Sequence, residues 1–254
     1  MIRVLPLFIL LPACAPSTWV LETWGEPFIE QGIPAAETTD GCSVRFDAAW
    51  VTLHSRAVVD DAHGIVAEIP GAVAVDLTVA GPTETGETAL PAGTHAGVTY
   101  TIGPADDAEV PAGAAAGAAA LEAEGSGVRM AGLLRCPNAE ATFDWSWDFT
   151  VELHCDVAPI RAKAGETAVS QATIHADHLF GRSLVDDSGL AVQPLVDAAG
   201  ADGHIERLDL AAVPVAEIGY DVGSNADITT LDDFVEAQAR SIGHIDGEGH
   251  CHTH

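Results

Sequence analysis

The longest regular pattern in the chain runs from Phe143 to Val157. Phe143, Trp145, Trp147, Phe149, Val151, Leu153, Cys155 and Val157 alternate with Asp144, Ser146, Asp148, Thr150, Glu152, His154 and Asp156. A period of two predicts a strand with one face packed and one face in water. Cys155 then points into the core, and His154 joins Glu152 and Asp156 on an acidic outer ladder. Earlier runs repeat the alternation. Val44, Phe46, Ala48 and Trp50 form one, with a slip of phase near Ala49 of the kind a β-bulge causes. Val73 to Val79 and Val98 to Ile102 form two more. Gly and Pro separate them, as in Gly81-Pro82, Pro91-Ala92-Gly93 and Gly103-Pro104. The Ala/Gly tract 111–120 reads as a loop or a short helix. After residue 197 the texture becomes helical. Thr230 caps a start at Leu231-Asp232-Asp233, and Leu231, Phe234, Val235 and Ile242 share a face up to Gly243. The pattern predicts a mainly β protein, an antiparallel β-sandwich over 42–196 followed by a small helical segment over 197–254.

Composition narrows the partners. The 254 residues include 38 acidic and 10 basic side chains, a formal charge of −28, and Lys163 is the single lysine. Such a field argues against nucleic acid or an anionic membrane surface and suits a cation. Half the residues are apolar, enough for a large core.

The N-terminus reads as an export signal: Met1-Ile2-Arg3, an apolar run from Val4 to Leu11, then Leu11-Pro12-Ala13-Cys14. The run is far shorter than the roughly 20 residues of a spanning helix. The last four residues resemble the lipobox of bacterial lipoproteins, with Pro12 standing where a small or hydroxyl residue is usual. That resemblance implies cleavage before Cys14, lipidation of its thiol, and a chain held by its lipid in the bacterial outer membrane, facing the periplasm or the cell surface. Residues 1–13 are then the signal and 14–41 a tether. Cys42, Cys136, Cys155 and Cys251 remain, an even number that suggests two disulfides in an oxidising compartment. Cys136 with Cys155 and Cys42 with Cys251 is one pairing of the three available.

Three segments carry candidate chemistry. The C-terminal stretch Gly243-His244-Ile245-Asp246-Gly247-Glu248-Gly249-His250-Cys251-His252-Thr253-His254 is dense in imidazole, the preferred donor with thiolate for zinc and copper. In Thr173-Ile174-His175-Ala176-Asp177-His178, a strand that ends near Ala176 and turns would bring His175 and His178 together, with Asp177 to orient a ring. The segment 197–210 resembles the middle of an EF-hand loop around Asp202-Gly203-His204-Ile205, with Asp209 in the last position. Ala198 and Gly200 occupy the places of two carboxylates, so calcium is not expected and the loop reads as a structural relic.

Trp145-x-Trp147, followed after a gap by a His-bearing strand, is similar to copper-binding periplasmic proteins associated with methanobactin loci. In that family a modified Trp and His hold copper within a β-sandwich; none of those ligands is carried over here. Nucleophile-elbow, P-loop, zincin and dinucleotide motifs are absent from the sequence. The leading expectation is a transition metal, zinc or copper, held by His175, Asp177, His178, His244, His250 and His252 for storage, delivery or structure. The alternative is a surface recognition or adhesion sandwich without metal, and a metal-dependent hydrolase ranks last. The acidic field is expected to raise the histidine pKa values, so that metal is lost below about pH 6.5.

Overall fold

The alternating runs become strands, and their neighbours in the sheets decide where the histidines meet. A computed structural model describes residues 15–254 apart from 107, 111–114, 157, 158, 187, 248 and 254. The expected signal 1–13 and the lipidation candidate Cys14 lie outside the described residues.

The elements in chain order are β1 (Ser17–Trp24), α1 (Glu26–Glu30), β2 (Ser43–Val59), β3 (Ile65–Ile69), β4 (Val73–Asp76), β5 (Thr83–Leu90), β6 (Gly93–His95), β7 (Gly97–Ile102), α2 (Ala115–Glu124), β8 (Val128–Cys136), β9 (Ala139–Trp147), β10 (Val151–Cys155), β11 (Ile160–Ala162) and β12 (Thr167–Ile174). A 3-10 turn (Ala176–Phe180) follows, then α3 (Gln193–Ala198), β13 (His204–Ile205), α4 (Arg207–Ala211), α5 (Val215–Ile218), α6 (Leu231–Ala239), β14 (Gly243–Ile245), β15 (Gly249–His250) and β16 (His252–Thr253). The first large sheet has the order β15-β14-β12-β1-β5. The second runs β13-β9-β8-β2-β7-β10-β16, with β3 and β4 also on β2. The fold is mainly β and sandwich-like. It is not purely antiparallel, because β1 and β12, and β13 and β9, pair in parallel.

One apolar core joins the sheets and contains Trp19, Leu21, Tyr100, Phe143, Trp145 and Trp147. Two buried polar bonds cross between them. Tyr100 Oη donates to the His244 carbonyl at 2.9 Å, and the buried Arg56 on β2 donates to the Thr85 carbonyl on β5. A satellite cluster forms where α2 lies on Trp50; a Cβ on Gly117 would come within 2.1 Å of that indole, so glycine permits the close packing.

Several expectations are corrected. The tether expected over 14–41 contains β1, whose Trp19 and Leu21 are fully buried. Its apolar residues alternate too briefly to stand out, and the strand is fixed by partners remote in sequence. The long run expected over 143–157 is two strands, because regular pairing lapses over 148–150; Phe149 stays buried, which preserves the period across the gap, and Val157 lies outside the described residues. The slip near Ala49 is a register shift between Phe46 and Ala48. Helix α6 begins at its Thr230 capping box as expected but stops at Ala239. Gly243 opens β14 instead, where a Cβ would meet the Tyr100 hydroxyl at 2.7 Å. The disulfides are Cys42–Cys136 and Cys155–Cys251. The first ties the paired ends of β2 and β8, the second β10 to the tail. A short hairpin link between Cys136 and Cys155 would have had to span the whole of β9.

Candidate metal centre

The basin is assembled by register. In the parallel pair, Trp24 lies opposite Thr173, so two residues further on Glu26 reaches His175. In the antiparallel pair, Thr173 lies opposite His244, and His244 in turn lies opposite His250 on β15. Side chains two apart share a face, so Thr173, His175, His244 and His250 fall together. On the opposite face Ile174 and Gly243 look into the core. β12 ends at Ile174, and the 3-10 turn brings His178 back over the same patch.

His244 sits at the centre. Its ring stacks on His175 with centroids 4.1 Å apart, meets His178 at 4.9 Å and His250 at 4.8 Å. His175 and His178 stand 5.8 Å apart. His244 is 2% exposed, His178 is half-buried and His250 is exposed. The cluster lines a cavity of about 570 Å³, walled on its other sides by Phe28, Arg182, Leu184, Leu190 and Gln238.

Hydrogen bonds fix which ring nitrogens keep lone pairs. The Nε2 of His175 lies 3.3 Å from the Gly247 carbonyl and 3.4 Å from Glu26 Oε2. A carbonyl only accepts, so Nε2 is the donor there, and Nδ1 faces Asp177 Oδ1 at 3.9 Å. The Ser241 hydroxyl donates to the Gln238 carbonyl, so its oxygen accepts from His178 Nδ1 at 3.4 Å and leaves Nε2 of His178 open. These are the outer contacts that orient metal-binding imidazoles. The Nδ1 of His244 is buried and, among the described residues, has no hydrogen-bond partner.

Burial first, and then the neighbours His175, His178 and His250, push His244 down from 6.5 to about 3. Burial also lowers His178, with His175 and His250 acting in the same direction and Asp177 opposing. The expectation that the acidic field raises these values is therefore corrected for both residues, since desolvation and crowding outweigh the field. The unfolded chain takes up the proton that folded His244 refuses, so stability is complete above about pH 6.5 and declines as pH falls from there toward 3. Thermal melts of chelator-treated protein between pH 7 and 4 are expected to show a falling Tm. A variant lacking the His244 imidazole is expected to show a shallower fall.

The structure brings together His175, Asp177, His178, His244 and His250. It places His252 elsewhere, on the outer face of the second sheet opposite His154. Glu26 is a contributor the sequence did not announce. It holds φ 56 just after Gly25, a conformation that costs on the order of 1–3 kcal/mol and collects at functional sites. The candidate relic of a calcium loop is a helix-capping device. Asp209 Oδ2 accepts the Glu206 N–H at 2.8 Å and Asp202 Oδ1 accepts that of His204 at 3.1 Å. Among the described residues, no three His, Cys, Asp or Glu side chains are already drawn close enough to hold an ion. His175 and His244 are stacked, while His178 meets His244 edge-on and His250 is tilted against it, so the rings are packed on one another rather than converged on one point.

No protein-family model and no curated protein matches the chain. One solved structure is similar. It is MbnP from Methylosinus trichosporium, at 11% identity and a TM-score of 0.35, over 65% of this chain and 77% of that one.

Proposed function

We propose that the protein binds a transition-metal ion, zinc or copper, in the basin of His175, His178, His244 and His250. The observation that carries this reading is the buried, unpartnered Nδ1 of His244 at the centre of three other imidazoles. A buried nitrogen with no partner costs about 1–3 kcal/mol, and a bound ion removes that cost. The low pKa of His244 supports the same reading, because a ligand must arrive deprotonated. Glu26 and the Gly247 carbonyl orient His175, Asp177 adds negative charge near the ion, and the cavity leaves one side of the metal open to water or a small ligand. The protein acts outside the cytoplasm, lipid-anchored through Cys14 at the outer membrane, in metal storage or delivery.

Metal content tests it. Untagged protein loaded with Zn²⁺ or Cu⁺ and dialysed is compared by elemental mass spectrometry with His178→Ala/His250→Ala, which alters only the rim. The variant is expected to lose one equivalent. Equal metal in both proteins, at equal affinity, removes the basin as the site.

A further inference from the structure

A second group of imidazoles lies on the outer face of the nine-stranded sheet, away from the basin. One register row crosses that sheet through Ala57, Thr99, His154 and His252. Directly opposed side chains in an antiparallel pair stand about 4.5–5.5 Å apart at Cβ, a span that one ion can bridge. The next residues along the same two strands are Cys155 and Cys251, which are disulfide-bonded with Cα atoms 4.3 Å apart. That bond forbids a slip of the His154–His252 pair. The period of two along β10 puts Glu152 on the same face, its Oε1 3.2 Å from His154 Nε2.

A third imidazole comes from the turn between β2 and β3. The Asp60 carboxylate accepts the N–H groups of Ala62 at 2.9 Å and Gly64 at 2.8 Å, closing a tight loop. His63 holds φ 58 in that loop, where Gly or Asn is the ordinary choice. The result is an exposed ring edge-on to His154, centroids 5.9 Å apart.

We propose that His63, His154 and His252, with Glu152, form a second cation site for a borderline divalent ion of the Zn²⁺ class. Three neutral imidazoles and one carboxylate are a tetrahedral zinc donor set. The charge of −28 concentrates cations at the surface. Closing the site takes side-chain rotation of the exposed His63, Glu152 and His252 about the half-buried His154. The tail would then serve both sites. His250 faces the basin, His252 faces outward, and the cross-linked Cys251 between them sets the division.

The experiment is Zn²⁺ equilibrium dialysis, with chelator competition for affinity, on the oxidised untagged chain. The parent is expected to hold two equivalents. His154→Gln/His252→Gln keeps the basin equivalent alone, and the rim variant His178→Ala/His250→Ala keeps the outer one alone. His63→Asn, which suits the left-handed turn, weakens only the outer ion, by about tenfold or more. Near-UV circular dichroism of the tryptophan core reports folding in each variant. The proposal is overturned if His154→Gln/His252→Gln retains the parental stoichiometry and affinities, or if the folded rim variant holds no zinc. If instead the basin reading is the one at fault, the rim variant matches the parent and the single ion is lost with His154 and His252.

Discussion

His244→Leu is expected to give a protein that no longer retains the basin ion and yet is at least as stable without metal as its parent. The two effects separate because His244 does two unlike things. Its Nδ1 is buried and unpartnered among the described residues, so an apolar side chain of similar size removes a desolvation cost of about 1–3 kcal/mol. The metal-free variant should match or exceed the parent by that amount. Metal binding moves the other way. Structural zinc sites with four ligands are worth about 10–16 kcal/mol, so one ligand carries about 3 kcal/mol, or about a hundredfold in affinity. Denaturant melts of the two apo proteins and chelator competition on the loaded ones check both halves. A variant much less stable than the parent when metal-free would mean that His244 is a packing residue whose imidazole the fold needs, and the argument from its unpartnered nitrogen would fail.

The second large effect is expected at Cys155–Cys251. The bond closes a loop with a sequence separation of 96, for which chain entropy gives about 4.7 kcal/mol. Cys155→Ser/Cys251→Ser should therefore lower Tm by roughly 10–20 °C in a chain of this size. Loss of both metal sites should accompany the drop even at temperatures where the variant is folded. β15 and β16 are two residues each, too short to hold the tail by pairing alone. If the variant keeps its metal at low temperature, the pairing of β14 with β12 suffices to place His244, and the disulfide is only a brace.

The sequence made visible what depends on neighbours along the chain. The period of two through Trp145 and Leu153 marked the buried faces of β9 and β10. The capping box at Thr230 marked the start of α6. The end of a strand near Ala176 marked the turn that brings His178 to His175. Periodicity reports which face a residue occupies but not which strand lies beside it. Hence Glu26 could not be foreseen: it reaches His175 only through the parallel pairing of β1 and β12. The disulfide pairing was hidden for the same reason, as it follows from β2 lying beside β8 and β10 beside β16. In the tail, His250 and His252 look equivalent as letters, yet the bond at Cys251 sends them to different sheets.

The two disulfide loops, 42 to 136 and 155 to 251, follow one another without overlapping. Order in time is built into that arrangement. On the proposal that the chain is exported, thiols emerging from the N-terminal side can oxidise into the first loop while the rest of the chain is still being delivered. The second loop cannot close before residue 251 has appeared. A chain stalled short of that point could carry a correctly oxidised first loop and still lack the bond that holds His250 against the basin. Competence for metal would thus wait on closure of the second loop.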